Sequence, residues 1–299
     1  MTKTDSDLKY LEQYPMTDVR PKTLSQKVAG YDIEYLDYPS EGPPLVLLHA
    51  TGFLPWMWHP IARELCRDFH VIAPYFCDHR HAEPDEGGLA WTILAEDLAQ
   101  FVKALGLERP FMVGHSMGAT VITLAEAAHG PLFGGMALIE PIYLPEPFYG
   151  MDIGVDQHPL AGKARRRKNQ WQGRDKAREY LLSKALFKNF DDEMLDLYME
   201  YGMRPGESGE LTLVCHPERE SSLFMGSLAR NPWPLLDNVE CPVLVIEGGE
   251  SENRQYIDLK KATSLFPSGE YIEVAGAGHL VPMEKPAKTI EVLSEFFKR

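Results

Sequence analysis

No stretch of the chain reaches the roughly 18 apolar residues of a membrane-spanning helix. The opening decapeptide, M-T-K-T-D-S-D-L-K-Y, lacks the apolar centre of a secretion signal. A soluble, cytoplasmic protein with no membrane partner is the expectation. Cysteine is scarce, at positions 66, 77, 215 and 241 without any C-x-x-C spacing, which predicts reduced thiols and neither a zinc framework nor a disulfide scaffold. Basic charge is in deficit: 30 Lys and Arg face 44 Asp and Glu, a formal charge of −14. That excess opposes sequence-independent attraction to phosphate backbones and anionic lipid, so nucleic acid is not an expected partner. Apolar residues are plentiful, 44% of 299. This is enough for a sizeable core in one large domain, or a domain carrying an insertion, and it excludes a wholly disordered chain.

Residues 1–22 are polar, with Pro15 and Pro21, and read as an N-terminal arm. Leu24 to Ala29 and Tyr31 to Tyr38, split by Gly30, predict a hairpin. The run P-L-V-L-L-H-A (Pro44 to Ala50) is apolar on both alternations, as in a parallel strand covered on both faces. Strand-like and helix-like stretches then alternate. A helical pattern through Ile61, Leu65 and Cys66 precedes a strand at His70 to Pro74, and Trp91 to Leu105 has helical spacing. Another strand, M-A-L-I-E, runs from Met136 to Glu140. From Pro141 to about Pro234 the alternation stops, and helical segments are expected at 162–187, 191–203 and 218–229 with no buried strand. It resumes with a strand at Pro242 to Glu247, a helix near 254–265, a strand at Tyr271 to Val274 and a helix from Lys285 to Phe297. This order predicts a doubly wound, mostly parallel α/β sheet: a core at 23–140 and 235–299 with a helical insertion at 141–234. Ligands of such sheets bind at the carboxyl ends of the strands.

The most informative stretch is M-V-G-H-S-M-G-A-T, Met112 to Thr120. An apolar strand enters it and an apolar helix, through Val121, Leu124 and Ala125, leaves it. Ser116 would then stand on a sharp strand-to-helix bend, flanked by glycines that let backbones approach closely. The first amides of the new helix lack internal partners and would stabilise negative charge on a substrate oxygen there.

Together with H-A-T-G-F after the third strand and G-A-G-H-L-V-P-M-E-K-P near the C-terminus, this motif resembles the α/β-hydrolase fold family, in its serine hydrolase branch with a helical cap. The resemblance spans roughly residues 24–299 and implies a Ser, acid, His order along the chain. It makes Ser116 the nucleophile and His279 the base. Members commonly carry G-x-x-D after the penultimate strand, where this chain reads I-E-G-G-E-S-E with Ser251 in the aspartate's place. Glu252 is the expected acid, Glu140 at the end of M-A-L-I-E is its rival, and Glu250 is a third choice. The resemblance places the oxyanion hole at the amides of Met117 and Thr51, with Gly52 and Phe53 as alternatives to Thr51. Ala50 stands where many relatives have glycine, which is harmless if its φ is negative.

Cys77, Asp78, His79 and His81 are all metal-ligating residue types, but their adjacent spacing suits no familiar site, and a solvated loop without metal is expected. Phe53, Trp56 and Trp58 are candidates either for the substrate pocket or for core packing. The basic run Lys163 to Lys168 reads as a solvated helix face, or else as a recognition site for a substrate carboxylate. The implied activity is cofactor-free hydrolysis of a small-molecule carboxylic ester or lactone by a monomer or homodimer. Thioesters and the diketones cleaved by carbon-carbon hydrolases stay open as substrates. A receptor of this fold with slow or no turnover is the alternative of a different class.

Overall fold

The computed structural model describes residues 19–76, 79–206 and 209–299; most of the expected N-terminal arm lies outside them. The hairpin is β1 (Lys22–Val28) and β2 (Tyr31–Tyr38), paired antiparallel across Ala29 and Gly30, both of positive φ. Next come β3 (Pro44–Leu48), α1 (His59–Leu65), β4 (His70–Pro74) and α2 (Trp91–Ala104). They are followed by β5 (Phe111–His115), α3 (Met117–His129) and β6 (Gly135–Ile139). The block after β6 holds α4 (Ala161–Arg165), β7 (Gln170–Trp171), α5 (Arg174–Leu182), α6 (Asp192–Tyr201), β8 (Met203–Pro205), β9 (Leu211–Leu213) and α7 (Pro217–Met225). The chain returns to the core with β10 (Val243–Gly248), α8 (Leu259–Leu265), β11 (Gly269–Val274), α9 (Val281–Glu284) and α10 (Pro286–Phe297).

One eight-stranded sheet, in the order β1-β2-β4-β3-β5-β6-β10-β11, organises these elements. β2 runs antiparallel to both its neighbours, and every pairing from β4 onward is parallel. The strand alternation assigns its two faces. Leu45, Leu47, Val71, Ala73, Val113 and Ile246 point into the cluster that takes in α1 and α10. Their neighbours Val46, Leu48, Ile72, Met112 and Val245 point into the cluster with α2, α3 and α8. Because both faces are covered, these strands read as unbroken apolar runs, and the predicted doubly wound sheet is what forms.

The insertion departs from expectation. The segment 162–187 is not one helical stretch, and β7, β9 and β8 form a small antiparallel sheet in that order. Strands of two or three residues carry no readable alternation, so the helical reading of this block took in residues that pair as strands. α6 is docked on the core at both ends: the Arg63 guanidinium of α1 grips the Glu193 carboxylate, with Nη2 to Oε2 at 2.8 Å, and Tyr201 stacks on Trp56 at 3.7 Å.

The loop after β4 is tied to α2 through Asp97, which is fully buried. Arg80 Nη2 donates to Asp97 Oδ1 at 2.7 Å and His79 Nε2 bonds Oδ2 at 2.9 Å. Burial alone would raise the Asp97 pKa, but the bonds and charges of Arg80 and His79 outweigh it and hold the carboxyl below its ordinary value. His81 pairs with Glu83 at 2.7 Å. Cys77 and Asp78 of the candidate metal cluster lie outside the described residues, and the two histidines take separate carboxylate partners. Since the folded pKa of Asp97 is depressed, its stabilisation is present above the unfolded carboxyl value and is lost as pH falls through the folded one. Asp97→Asn is therefore expected to cost about 2 kcal/mol in urea unfolding at pH 7, less than for a fully buried pair because Arg80 is partly solvated. The difference from the parent should narrow in acid.

Candidate active site

β5 ends at His115 and α3 begins at Met117, so the whole reversal falls on Ser116, with φ 55° and ψ −116°. A non-glycine residue there is strained and must be held by its surroundings. Ser116 N–H donates to Ile139 O at 2.9 Å, and its own carbonyl accepts Thr120 N–H at 3.2 Å. The flanking glycines are needed for close approach, not for an unusual φ. A Cβ on Gly114 would lie 2.4 Å from Ala119 N, and one on Gly118 would lie 2.5 Å from Leu48 O. α3 therefore rests directly on β5 and β3, with the Ser116 hydroxyl at its N-terminal end.

His279 sits in the turn between β11 and α9. Its Nε2 is 3.1 Å from Ser116 Oγ and its Nδ1 is 2.9 Å from Glu140 Oε2. Two groups steady the turn: Gly278 N–H donates to Glu284 Oε2 at 2.8 Å, and His115 Nε2–H donates to the His279 carbonyl at 2.9 Å. His115 is fully enclosed, and burial first, then the neighbouring His279, lowers its pKa to about 3. It stays neutral beside His279.

The carboxylate against His279 is thus Glu140, and the choice of Glu252 is corrected. Glu140 follows β6 with φ 50° and is 1% exposed. Its N–H donates to Ile246 O at 2.8 Å, which continues the β6-to-β10 ladder by one residue and turns the side chain across the end of β10. There Oε1 accepts Gly248 N–H at 2.7 Å and Oε2 accepts the Ser251 hydroxyl at 2.7 Å. Glu252 instead opens a short 3₁₀ turn, Glu252–Gln255, with Ser251 as its cap, and is exposed, as is Glu250. A carboxylate at 252 faces solvent because that turn carries it away from the strand end.

The turn H-A-T-G-F is buried beside the serine. His49 Nε2 accepts Phe76 N–H at 3.1 Å, which leaves the ring proton on Nδ1 to reach Ala50 O at 3.0 Å, and Phe53 N–H closes onto the same carbonyl at 3.1 Å. Among the described residues the non-glycine positions of positive φ are Ala29, Arg109, Ser116 and Glu140, so Ala50 keeps an ordinary backbone and needs no glycine. Gly52 does need to be glycine: its φ is 78°, and a Cβ would lie 2.6 Å from Glu220 Oε1 of α7. The Met117 amide is the first in α3 and has no acceptor within its own helix. Thr51 is buried in the turn that follows β3.

The inserted block reaches this turn. Phe53 meets Tyr198 at 5.7 Å and Phe190 at 6.2 Å, ring to ring. Trp58 is core, at 1% exposure, whereas Trp56 is half-buried and donates to Tyr75 Oη at 2.8 Å. The basic run is not a bare solvated face. Arg165 pairs with Asp85 at 2.7 Å, Arg166 with Asp156 and Arg167 with Glu220 at 2.6 Å, while Lys168 lies over the Tyr180 ring at 5.1 Å. Among the described residues no group of three or more His, Cys, Asp or Glu is arranged to hold a metal, and no helix is long and apolar enough to cross a membrane.

A model of the alpha/beta hydrolase family matches residues 45–292. A putative esterase/lipase of Haemophilus influenzae is 21% identical over 287 residues, covering 95% of this chain and 93% of its own. The 2-(acetamidomethylene)succinate hydrolase of Mesorhizobium japonicum is 25% identical over 261 residues, covering 85% of this chain and 88% of its own. A crystal structure of an E-2-(acetamidomethylene)succinate hydrolase shares the fold with a TM-score of 0.77 at 21% identity, over 93% of this chain and 100% of the other.

The geometry separates the two carboxylates without any knowledge of substrate. Labelling of Ser116 by a fluorophosphonate is expected to slow by on the order of a thousandfold or more in Glu140→Gln. In Glu252→Gln it should stay within about twofold of the parent, because an exposed carboxylate that faces solvent does not orient the ring.

Proposed function

Because this chain belongs to the alpha/beta hydrolase family, we propose that it is a serine hydrolase cleaving a small carboxylic ester or lactone through an acyl-enzyme. The observation that carries the reading is the unbroken line of contacts from Ser116 Oγ to His279 Nε2 at 3.1 Å and from His279 Nδ1 to Glu140 Oε2 at 2.9 Å. Glu140 accepts the Nδ1 proton and so keeps Nε2 bare toward the hydroxyl. Ser116 Oγ attacks the carbonyl carbon while Nε2 takes its proton, and the carbonyl pair moves onto oxygen to give a tetrahedral oxyanion. The amides of Met117 and Thr51 stabilise that charge. Collapse expels the alkoxide, which leaves with the proton from Nε2. Water then repeats the sequence at the acyl carbon, with the same imidazole as base and then acid, and restores the serine.

A serine at position 116 supports acyl transfer over alkyl-ester chemistry, which needs a carboxylate nucleophile. The inserted block serves as the cap in this reading, and Phe190 and Tyr198 against Phe53 form its contact with the oxyanion turn. The names carried by the two curated relatives, an esterase/lipase and a hydrolase of 2-(acetamidomethylene)succinate, support hydrolysis and leave the substrate open.

The test is a panel of p-nitrophenyl esters from acetate to octanoate, lactones, thioesters and 2-(acetamidomethylene)succinate, run beside Ser116→Ala. At least one member should turn over, with kcat/KM lower by on the order of a thousandfold or more in the variant. Equal rates for parent and Ser116→Ala would overturn the reading.

A further inference from the structure

The turn that follows β10 brings a hydroxyl and a carboxamide to the candidate triad. Ser251 stands there, 5% exposed, and donates its hydroxyl to Glu140 Oε2 at 2.7 Å. Its oxygen also accepts Asn253 N–H at 3.4 Å, so the direction of the hydroxyl proton is set toward the carboxylate. Asn253, two residues on, brings its side-chain amide to His279, with Nδ2 at 3.0 Å from Nδ1. One short turn therefore touches both the acid and the base.

We infer that the Ser251–Asn253 turn is a positioning element for the candidate triad, Ser251 fixing the Glu140 carboxylate and Asn253 fixing the His279 ring in its working tautomer. This inference rests on the hydrolase reading above. Neither residue touches the reacting atoms; both act through Glu140 and His279. An imidazole nitrogen cannot carry a proton and accept one together. If Asn253 Nδ2–H donates to Nδ1, the ring proton sits on Nε2 and blocks transfer from Ser116. Glu140, which only accepts, excludes that tautomer by requiring Nδ1–H. A half-turn of the amide exchanges its oxygen and nitrogen, so the working tautomer requires Oδ1 in the place that Nδ2 holds against the ring, with Nδ1–H then shared between two acceptors. As the imidazolium forms, the second acceptor offsets part of its charge, while the Ser251 hydroxyl keeps Glu140 Oε2 from swinging away.

The test uses the full chain and the best substrate from the ester panel. Ser251→Ala and Asn253→Ala are each expected to lower kcat about tenfold with KM within about twofold, the pattern of a lost transition-state interaction. Ser251→Thr, which keeps the hydroxyl, should recover most of the loss. Proton and nitrogen NMR of histidine-labelled protein gives a readout that a merely structural role would not move. The His279 Nδ1–H resonance should shift in both alanine variants and stay fixed in Glu252→Gln. Asn253 is partly exposed, so its variant keeps the test open even if Ser251→Ala melts. Parental kcat and an unmoved Nδ1–H resonance in Asn253→Ala and in folded Ser251→Ala would overturn the inference. In that event Ser116→Ala and Glu140→Gln would still be inactive, whereas failure of the hydrolase reading shows as a parental rate in Ser116→Ala.

Discussion

A carboxylate buried to 1% exposure must be surrounded by donors, and the packing around Glu140 follows from that requirement. The Gly248 amide from β10, the Ser251 hydroxyl and the His279 ring supply them. The first two come from the end of β10 and the turn after it and the third from the turn after β11, and all are in place only if β6, β10 and β11 lie side by side in parallel register. The φ of 50° at Glu140 is strain that this set of bonds sustains. Gly248 has no side chain for the same reason: a Cβ there would lie 2.1 Å from Gly278 O, in the turn that carries the histidine.

The Ser116 end is built on the same plan. Ser116 is held at a second strained φ because Gly114 and Gly118 let α3 press onto two strands, and because its amide is bound to Ile139, one residue before Glu140. His115 ties this elbow to the turn after β11 by donating to the carbonyl of His279, and its enclosure keeps it uncharged. Ser116, Glu140 and His279 thus hang from adjacent strands β5, β6, β10 and β11. A rigid sheet is a better support for such a constellation than mobile loops.

Much of this was legible in the chain. Apolar runs such as P-L-V-L-L and V-L-V-I-E declared doubly covered strands, and Gly114-x-Ser116-x-Gly118 announced a crowded strand-to-helix bend. His279 was legible from its Gly-rich turn after the last strand. The carboxylate was not, because Glu140 and Glu252 both follow strand ends. Only the extra ladder bond of Glu140 and the 3₁₀ turn at Glu252 decide which one faces inward. The signal in hand was Ser251, a hydroxyl that can donate to a carboxylate from the neighbouring strand end, as it does to Glu140. The small sheet of the insertion escaped because its strands are too short for a period. The partners of the basic run were equally invisible, since Arg165 finds Asp85 80 residues away and Arg167 finds Glu220 53 residues away.

The family and its fold are common to proteins that differ in substrate, and the chemistry proposed here belongs to the site and not to the sheet. Its central claim is that the Ser116 oxygen becomes covalently acylated during turnover. Rapid acid quenching with an activated ester in excess, followed by peptide mass mapping, tests this most directly. The account predicts an acyl adduct on the peptide containing Ser116, formed in a burst and absent from His279→Ala. Steady hydrolysis with no adduct on Ser116 at any quench time, together with an undiminished rate in His279→Ala, would contradict it.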